Sequence, residues 1–221
     1  MDAKRDEPHS PPSHTAVAIL IPHEIRLDAR HPAPEWDCAT PIEFSQDWQG
    51  KNSDPARQTE VRLLWTPDTL YARFVCRYRE LFVFDDSDPN GRRDHLWDRD
   101  VAEIFLQPDP SRPRYYKEFE VSPNGMWIDL DIFPEGRRDL QSGLQHSGWL
   151  DSGHHIWTAE LAIPMPSLTS AFDPAKKWRA NFYRIEGRPE PRFYSAWQPT
   201  NTEVPNFHVP DHFAKLCFSA T

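Results

Sequence analysis

The chain has 221 residues, a formal net charge of −9 and a pI near 5.5. Its scattered Lys and Arg residues argue against nucleic acid and anionic membranes as partners. No apolar run approaches the length of about 20 residues that spans a bilayer. Nine Trp, thirteen Phe and six Tyr supply the apolar area for a core, while 23 Pro against eight Gly argue against long helices.

The N-terminal 16 residues are rich in Pro, Ser and His and predict a disordered tail, which leaves residues 17–221 as a single domain. The polar start and the short apolar run 17–21 do not form a signal peptide, so we expect a cytoplasmic protein. A start upstream of Met1 would instead allow secretion. Cys38, Cys76 and Cys217 are widely spaced and form no CxxC pair, which predicts free thiols.

Short strand-like segments follow one another along the domain, separated by Pro, Asp, Asn and Gly. Turn sequences at Pro67-Asp68 and at 123–125 predict two hairpins, and one short helical turn is expected near 165–170. This pattern predicts an all-β fold, an antiparallel β-sandwich or jelly roll of immunoglobulin-like appearance. The predicted strands are 42–44, 60–65, 70–77, 101–106, 115–121, 127–132, 156–163, 178–185, 193–197 and 214–218.

The segment 96–106 holds the strongest candidate for a binding site. Trp97 lies between polar residues immediately before a predicted strand. In that strand Ala102, Ile104 and Leu106 share one face, so Glu103 falls on the other. An aromatic ring beside a fixed carboxylate can stack on the apolar face of a sugar and accept hydrogen bonds from its hydroxyl groups.

The same alternation extends the polar face to neighbouring strands. Glu118 and Glu120 lie opposite Phe119, and Asn181 and Tyr183 lie opposite Phe182. A sheet face that mixes carboxylates, an amide and a phenol is typical of a glycan-binding platform. An ordinary solvated face is the other interpretation, because the spacing alone does not give the strand order.

An ordered series of motifs resembles family 9 carbohydrate-binding modules. The resemblance covers about residues 25–218, and it depends on the order of the motifs rather than on any one of them. The motifs are QTEVRLLW at 58–65, LYARF at 70–74, LWDRDVAEIFL at 96–106, YKEFEVSPNG at 116–125, WTAELAIP at 157–164, WRANFYRI at 178–185, YSAW at 194–197 and FHVP at 207–210, followed by Phe213.

The resemblance implies a non-catalytic β-sandwich that binds a mono- or oligosaccharide between two tryptophans. Trp97 corresponds to the first tryptophan, Trp197 is the candidate for the second, and Glu103 accepts hydroxyl hydrogens. His208 is a candidate to cap the site. The remaining implied polar contacts are Glu118, Glu120, Asn181, Tyr183 and Arg184, of which Arg184 could also form an ion pair with Glu103.

The sequence predicts no cofactor. Several members of the resembled family carry structural calcium, which makes a calcium ion possible here. The candidate loop contains Asp85, Asp86, Asp88 and Asn90, although its spacing matches no recognised calcium loop. The histidines lack zinc-site spacing. The oligomeric state is left open.

Two other functions stay open at this point. A glycosidase could use paired carboxylates, Asp100 or Glu103 together with Glu118, if the strands bring them to the required separation. A related branch of the resembled sandwich holds haem in electron-transfer subunits, for which Met126 and Met165 are the internal ligand candidates and CxxCH is absent.

Overall fold

A computed structural model describes residues 15–85, 88, 91–188 and 191–219. The described chain is almost entirely β-structure, with one four-residue helix, α1, at Met165–Leu168. None of its helices is long and apolar enough to cross a membrane. The strands are β1 Thr15–Leu20, β2 Ile42–Phe44, β3 Thr59–Trp65, β4 Thr69–Arg77, β5 Val101–Gln107, β6 Tyr116–Val121, β7 Trp127–Phe133, β8 Gly136–Asp139, β9 Gln145–Asp151, β10 Ile156–Pro164, β11 Trp178–Glu186, β12 Phe193–Ala196 and β13 Ala214–Ser219.

The strands form one large curled sheet in the order β8-β7-β6-β5-β11-β13-β1-β3-β4-β10-β9, with β12 on β11 and β2 on β3. This confirms the all-β class. The sheet is mixed rather than wholly antiparallel, because β1 runs parallel to both β13 and β3. β1 begins at Thr15, two residues before the predicted start of the domain, and residues 1–14 lie outside the described chain.

The hydrophobic core lies between the two halves of the curled sheet, which pack face to face as in a sandwich. Phe182 of β11 meets Phe74 of β4 across this interface, with ring centroids 6.4 Å apart in a T-shaped contact. Edge-to-face aromatic pairs of this kind stabilise a core beyond the area that they bury. Ile104 and Phe119 contribute from the same half as Phe182, and Trp157 from the opposite half.

Strand β5 is buried on both faces. Ala102, Ile104 and Leu106 point into the core, as the alternation predicts. Val101 and Phe105 belong to a second cluster on the outer face, which also includes residues of β6, β7 and β11. The segment after β12 covers this outer face and contributes Phe207 and Phe213 to the cluster.

The carboxylate of Asp100 ties the start of β5 to two other segments. It accepts hydrogen bonds from the backbone N–H groups of Gly187 at 2.7 Å and of Phe82 at 3.2 Å. Asp100 is fully buried. Burial raises the pKa of Asp100 to about 6, although the positive charge of Arg184 and the two backbone hydrogen bonds favour the ionised form.

The raised pKa of Asp100 predicts a pH-dependent loss of stability. Because the folded-state pKa lies above the value of about 3.9 expected for an unfolded chain, folding favours the protonated form. The free energy of unfolding should therefore fall as pH rises from about 4 to about 7, by at most about 3 kcal/mol at about 1.4 kcal/mol per pKa unit. Urea unfolding of the wild type and of Asp100→Asn measures this difference.

The exposed neighbour Asp98 provides the matched control, Asp98→Asn. The stability of the wild type relative to Asp100→Asn should decrease as pH rises, and by more than its stability relative to Asp98→Asn, because Asp100 is buried whereas Asp98 is exposed. Parallel pH curves for the wild type and Asp100→Asn would contradict the assignment.

Candidate functional site

A pocket of about 310 Å³ opens on the outer face of the sheet formed by β5, β6 and β11. Strand residues form its floor, and the segment before the last 3-10 turn forms part of its rim. The pocket combines carboxylates, aromatic rings and one guanidinium. Its lining residues are Trp97, Glu103, Glu118, Glu120, Leu130, Arg137, Ile185, Tyr194, Pro205, Asn206, Phe207 and His208.

Three carboxylates meet on the floor of the pocket. Glu103 of β5 is directly paired with Glu120 of β6, and Glu118 lies on the same face because it is two residues away along β6. Their side chains offer oxygens that all lie within 4.8 Å of one another. Only 2% of Glu103, 3% of Glu118 and none of Glu120 is exposed. We call these three residues the glutamate floor.

Burial and mutual repulsion raise the pKa values of Glu103 and Glu120. For Glu103 burial is the main cause of the raised pKa, the charge of Glu118 adds to it, and Arg192 opposes it. For Glu120 burial is again the main cause of the raised pKa, Glu103 and Glu118 add to it, and Arg137 opposes it. Charge on this floor is therefore costly unless a cation or hydrogen-bond donors compensate it.

Trp97 stands at the rim, on the 3-10 turn Leu96–Asp98 that leads into β5. Arg192 holds this turn by donating a hydrogen bond to the carbonyl oxygen of Trp97 at 2.9 Å. The half-buried indole lies under the guanidinium of Arg137, 4.3 Å from the ring centroid, and beside the imidazole of His95, with centroids 4.8 Å apart. Arg137 also forms an ion pair with Asp94 at 3.1 Å.

Asn181 and Tyr183 lie on the predicted face, but beneath the pocket wall rather than in the pocket. The Asn181 amide donates to the hydroxyl group of Tyr183 and to the carbonyl oxygen of Gln198, both at 2.9 Å. The Tyr183 hydroxyl donates to the carbonyl oxygen of Phe207 at 3.1 Å, and the two rings stack 4.2 Å apart. These two residues therefore hold the covering segment on the sheet.

Trp197 does not face Trp97, contrary to the prediction from the resemblance. It is 3% exposed and belongs to the core between the sheet halves, where its ring lies 5.4 Å from that of Phe182. The register explains this position, because Ala196 pairs with Tyr183 and shares its outer face. The next residue then points to the opposite side.

Arg184 is also placed in the core and not in the pocket. It follows Tyr183 in β11, so alternation sends the two side chains to opposite faces. Its guanidinium lies 4.9 Å from the Trp157 ring centroid and 3.4 Å from a carboxylate oxygen of Glu186. Arg184 thus pairs with Glu186 and not with Glu103, which the sequence had left as one of two possibilities.

Several lining residues escaped the sequence prediction. Arg137 belongs to the polar strand β8, and Tyr194 precedes the predicted second tryptophan by three residues. Asn206 and Phe207 lie in a loop, and the sequence periodicity does not predict the path of a loop. His208, in contrast, lines the pocket as expected, with Nδ1 2.7 Å from the Tyr116 hydroxyl and 3.9 Å from a Glu118 oxygen.

Of the two carboxylate pairs considered for glycoside hydrolysis, the structure brings together Glu103 and Glu118 but not Asp100 and Glu118. Asp100 binds backbone groups and does not line the pocket. Met126 belongs to the outer cluster, whereas Met165 belongs to the core between the sheet halves, so they do not share one site. Of the candidate calcium loop, Asp86 and Asn90 lie outside the described residues.

The fold and the pocket define a small β-sandwich with a carboxylate-lined binding site on an outer sheet face. Comparison with known families gives this class a name. The family described as "Carbohydrate family 9 binding domain-like" matches residues 27–182, and "Carbohydrate-binding family 9" matches residues 150–218. The chain belongs to the carbohydrate family 9 binding domain-like family.

Relatives and solved structures match nearly the whole chain. An "Extracellular protein" of Arthroderma benhamiae is 26% identical over 92% of this chain and 95% of its own length. A Bacteroides uniformis protein proposed to bind carbohydrate has a TM-score of 0.71 at 15% identity, covering 93% of this chain and 99% of that one. A family 9 module of Caldicellulosiruptor kristjanssonii in complex with cellotriose has a TM-score of 0.68 at 14% identity, covering 94% of each.

The positions of the two tryptophans predict losses of stability of different size. Trp197→Ala should lower the free energy of unfolding by about 3–5 kcal/mol, because it leaves a cavity in the core. Trp97→Ala removes a half-buried ring from the rim and should cost much less. Urea unfolding at pH 7 measures both. Equal losses for the two variants would contradict the placement of Trp197 in the core and Trp97 at the rim.

Proposed function

We propose that the protein is a non-catalytic carbohydrate-binding module that holds a sugar in the pocket above the glutamate floor. The observation that carries this proposal is the position of three buried carboxylates beside the half-buried ring of Trp97. Carboxylate oxygens accept hydrogen bonds from sugar hydroxyls, and aromatic rings pack on the apolar faces of sugar rings. Family membership and the cellotriose complex of the Caldicellulosiruptor module support the same ligand class.

The pocket proposed here uses one tryptophan rather than two. Besides Trp97, the pocket lining offers the rings of Tyr194, Phe207 and His208. Arg137 covers the Trp97 ring, so a sugar that stacks on this ring takes the place of the guanidinium. At about 310 Å³ the pocket is near the lower end of ligand-site volumes, which favours a single sugar unit or the end of a chain.

The arrangement of the carboxylates favours binding over glycoside hydrolysis. Their oxygens are close enough for a retaining mechanism, in which the two carboxyl groups stand about 5–5.5 Å apart. However, a glycosidase needs its acid and its nucleophile on the two sides of the scissile bond. Glu103, Glu118 and Glu120 all rise from one face of one sheet, and so they approach a ligand from the same side.

Substitution at the rim and at the floor tests the proposal. Trp97→Ala and Glu103→Gln should each weaken binding of cellotriose at least tenfold, or about 1.4 kcal/mol, because they remove a stacking surface and a charged acceptor. Isothermal titration calorimetry with cellotriose, and then with xylose- and mannose-based oligosaccharides, measures the effect on whichever sugar the wild type binds.

The matched control is Trp149→Ala, which removes a half-buried tryptophan from β9 at the far end of the sheet. This variant should bind like the wild type. Unchanged affinity in a folded Trp97→Ala protein would overturn the site. Release of product from aryl glycosides by the wild type, abolished in Glu103→Gln, would assign the pocket to a glycosidase instead.

A further inference from the structure

Four carboxylate oxygens of the glutamate floor accept no hydrogen bond within the described chain. One carboxylate oxygen each of Glu103 and Glu118, and both oxygens of Glu120, are buried and accept no hydrogen bond from any described residue. All three side chains are more than nine-tenths buried and line the pocket. Each buried carboxylate oxygen without a hydrogen-bond partner lowers the stability of the folded protein.

The nearby cations are held by other groups. Arg137 pairs with Asp94 and covers the Trp97 ring. Arg192 donates to the carbonyl oxygens of Trp97 and Gly187. His208 reaches no closer than 3.9 Å to Glu118, while its Nδ1 contacts the Tyr116 hydroxyl. The protein thus surrounds the floor with positive charge, but leaves the carboxylate oxygens themselves available to a ligand.

The donor set and its spacing suit a hard divalent cation. Calcium binds carboxylate oxygens at about 2.3–2.6 Å, so ligands on opposite sides of the ion stand about 4.6–5.2 Å apart. The floor oxygens, within 4.8 Å of one another, fit around such an ion. Magnesium keeps several waters and takes one or two carboxylates, whereas calcium accepts three, in monodentate or bidentate form.

The floor is also preorganised for an ion. Glu103 and Glu120 are a direct cross-strand pair in the β5–β6 ladder, and Glu118 stands beside them on β6. Backbone hydrogen bonds fix these positions, so binding an ion needs little rearrangement. Carboxylates directly opposite each other otherwise destabilise a sheet, which gives an ion a structural role here as well.

We propose that Glu103, Glu118 and Glu120 bind one calcium ion, whose remaining coordination positions face the pocket and are taken by hydroxyl groups of the bound sugar. One oxygen of each carboxylate coordinates the ion, and the other oxygens remain available to accept hydrogen bonds from sugar hydroxyl groups. The second half of this proposal rests on the proposed carbohydrate binding, whereas the calcium site itself does not.

Calcium binding is tested first, without sugar. Full-length protein is dialysed against EDTA and then against buffer, and titrated with calcium chloride in a calorimeter, with magnesium chloride as the comparison. The wild type should bind calcium at least tenfold more tightly than magnesium, and calcium should raise its Tm. Glu120→Gln should bind calcium at least tenfold more weakly and keep its fold, because it removes a buried charge without changing the side-chain shape.

Glu43→Gln serves as the control, since Glu43 is exposed on β2 and lines no part of the pocket. It should bind calcium like the wild type. Absence of calcium binding by the wild type, equal binding of magnesium, or unchanged calcium binding in Glu120→Gln would each overturn the calcium site.

The link to the sugar is tested separately by titrating cellotriose, or the sugar identified above, in calcium and in EDTA. Removal of calcium should weaken sugar binding at least tenfold in the wild type. Equal sugar affinity in calcium and in EDTA would overturn the link and leave the proposed carbohydrate function standing. Calcium binding without affinity for any tested sugar would overturn the proposed function and leave the calcium site standing.

An amino sugar provides the last discriminating probe. A glucosamine oligomer that binds in EDTA, in a protein that fails to bind calcium, would assign the three carboxylates to an ammonium group and overturn the calcium proposal.

Discussion

The complete burial of β5 on both faces is the constraint from which the rest of the site follows. All seven residues of this strand are buried, three of them against the opposite half of the sheet. The outward-facing residues therefore need a cover of their own, and the segment that carries Phe207 and Phe213 supplies it. Phe105 lies at the centre of that cover, in ring contact with Tyr116, Tyr183, His208 and Phe213. A carboxylate on this strand, such as Glu103, is consequently buried at the base of the pocket rather than solvated.

The alternation of residues along the strands was enough to predict this arrangement in part. Period-two patterns place Glu103 opposite Ile104, Glu118 opposite Phe119 and Tyr183 opposite Phe182, and the structure places them so. The prediction works because each of these strands carries large apolar residues on its core side, which fixes the face without knowledge of the strand order. The glutamate floor could thus be assembled from the sequence, although its closeness depends on the β5–β6 register.

Features of the site that depend on strand register, on loops or on polar edge strands could not be predicted from the sequence. The position of Arg184 is an exception. It could have been predicted, because the residue that follows Tyr183 in a strand points to the opposite face. The position of Trp197 could not be predicted, because the face on which it lies depends on the pairing of Ala196 with Tyr183. Strands β8 and β9 are mostly exposed and carry few apolar residues, so the period-two signal is weak there. β1 pairs in parallel with β13, and the paired residues are 200 positions apart, as in Thr15 and Lys215. No local sequence pattern predicts such a contact.

The chemistry of the floor also determines what the rim must do. In their ionised form carboxylates are hydrogen-bond acceptors only, so the ionised floor can bind hydroxyl hydrogens or a cation but cannot donate to the ring or glycosidic oxygens of a sugar. Donors must therefore come from the rim, where Arg137, Asn206 and His208 stand. Of these, Arg137 covers the Trp97 ring on which a sugar would stack. Its guanidinium also forms an ion pair with the exposed Asp94. An exposed ion pair is a weak restraint. Stacking of a sugar on Trp97 would thus release the one guanidinium that can donate to the ligand, so ring stacking and hydrogen bonding in this pocket are coupled through a single side chain.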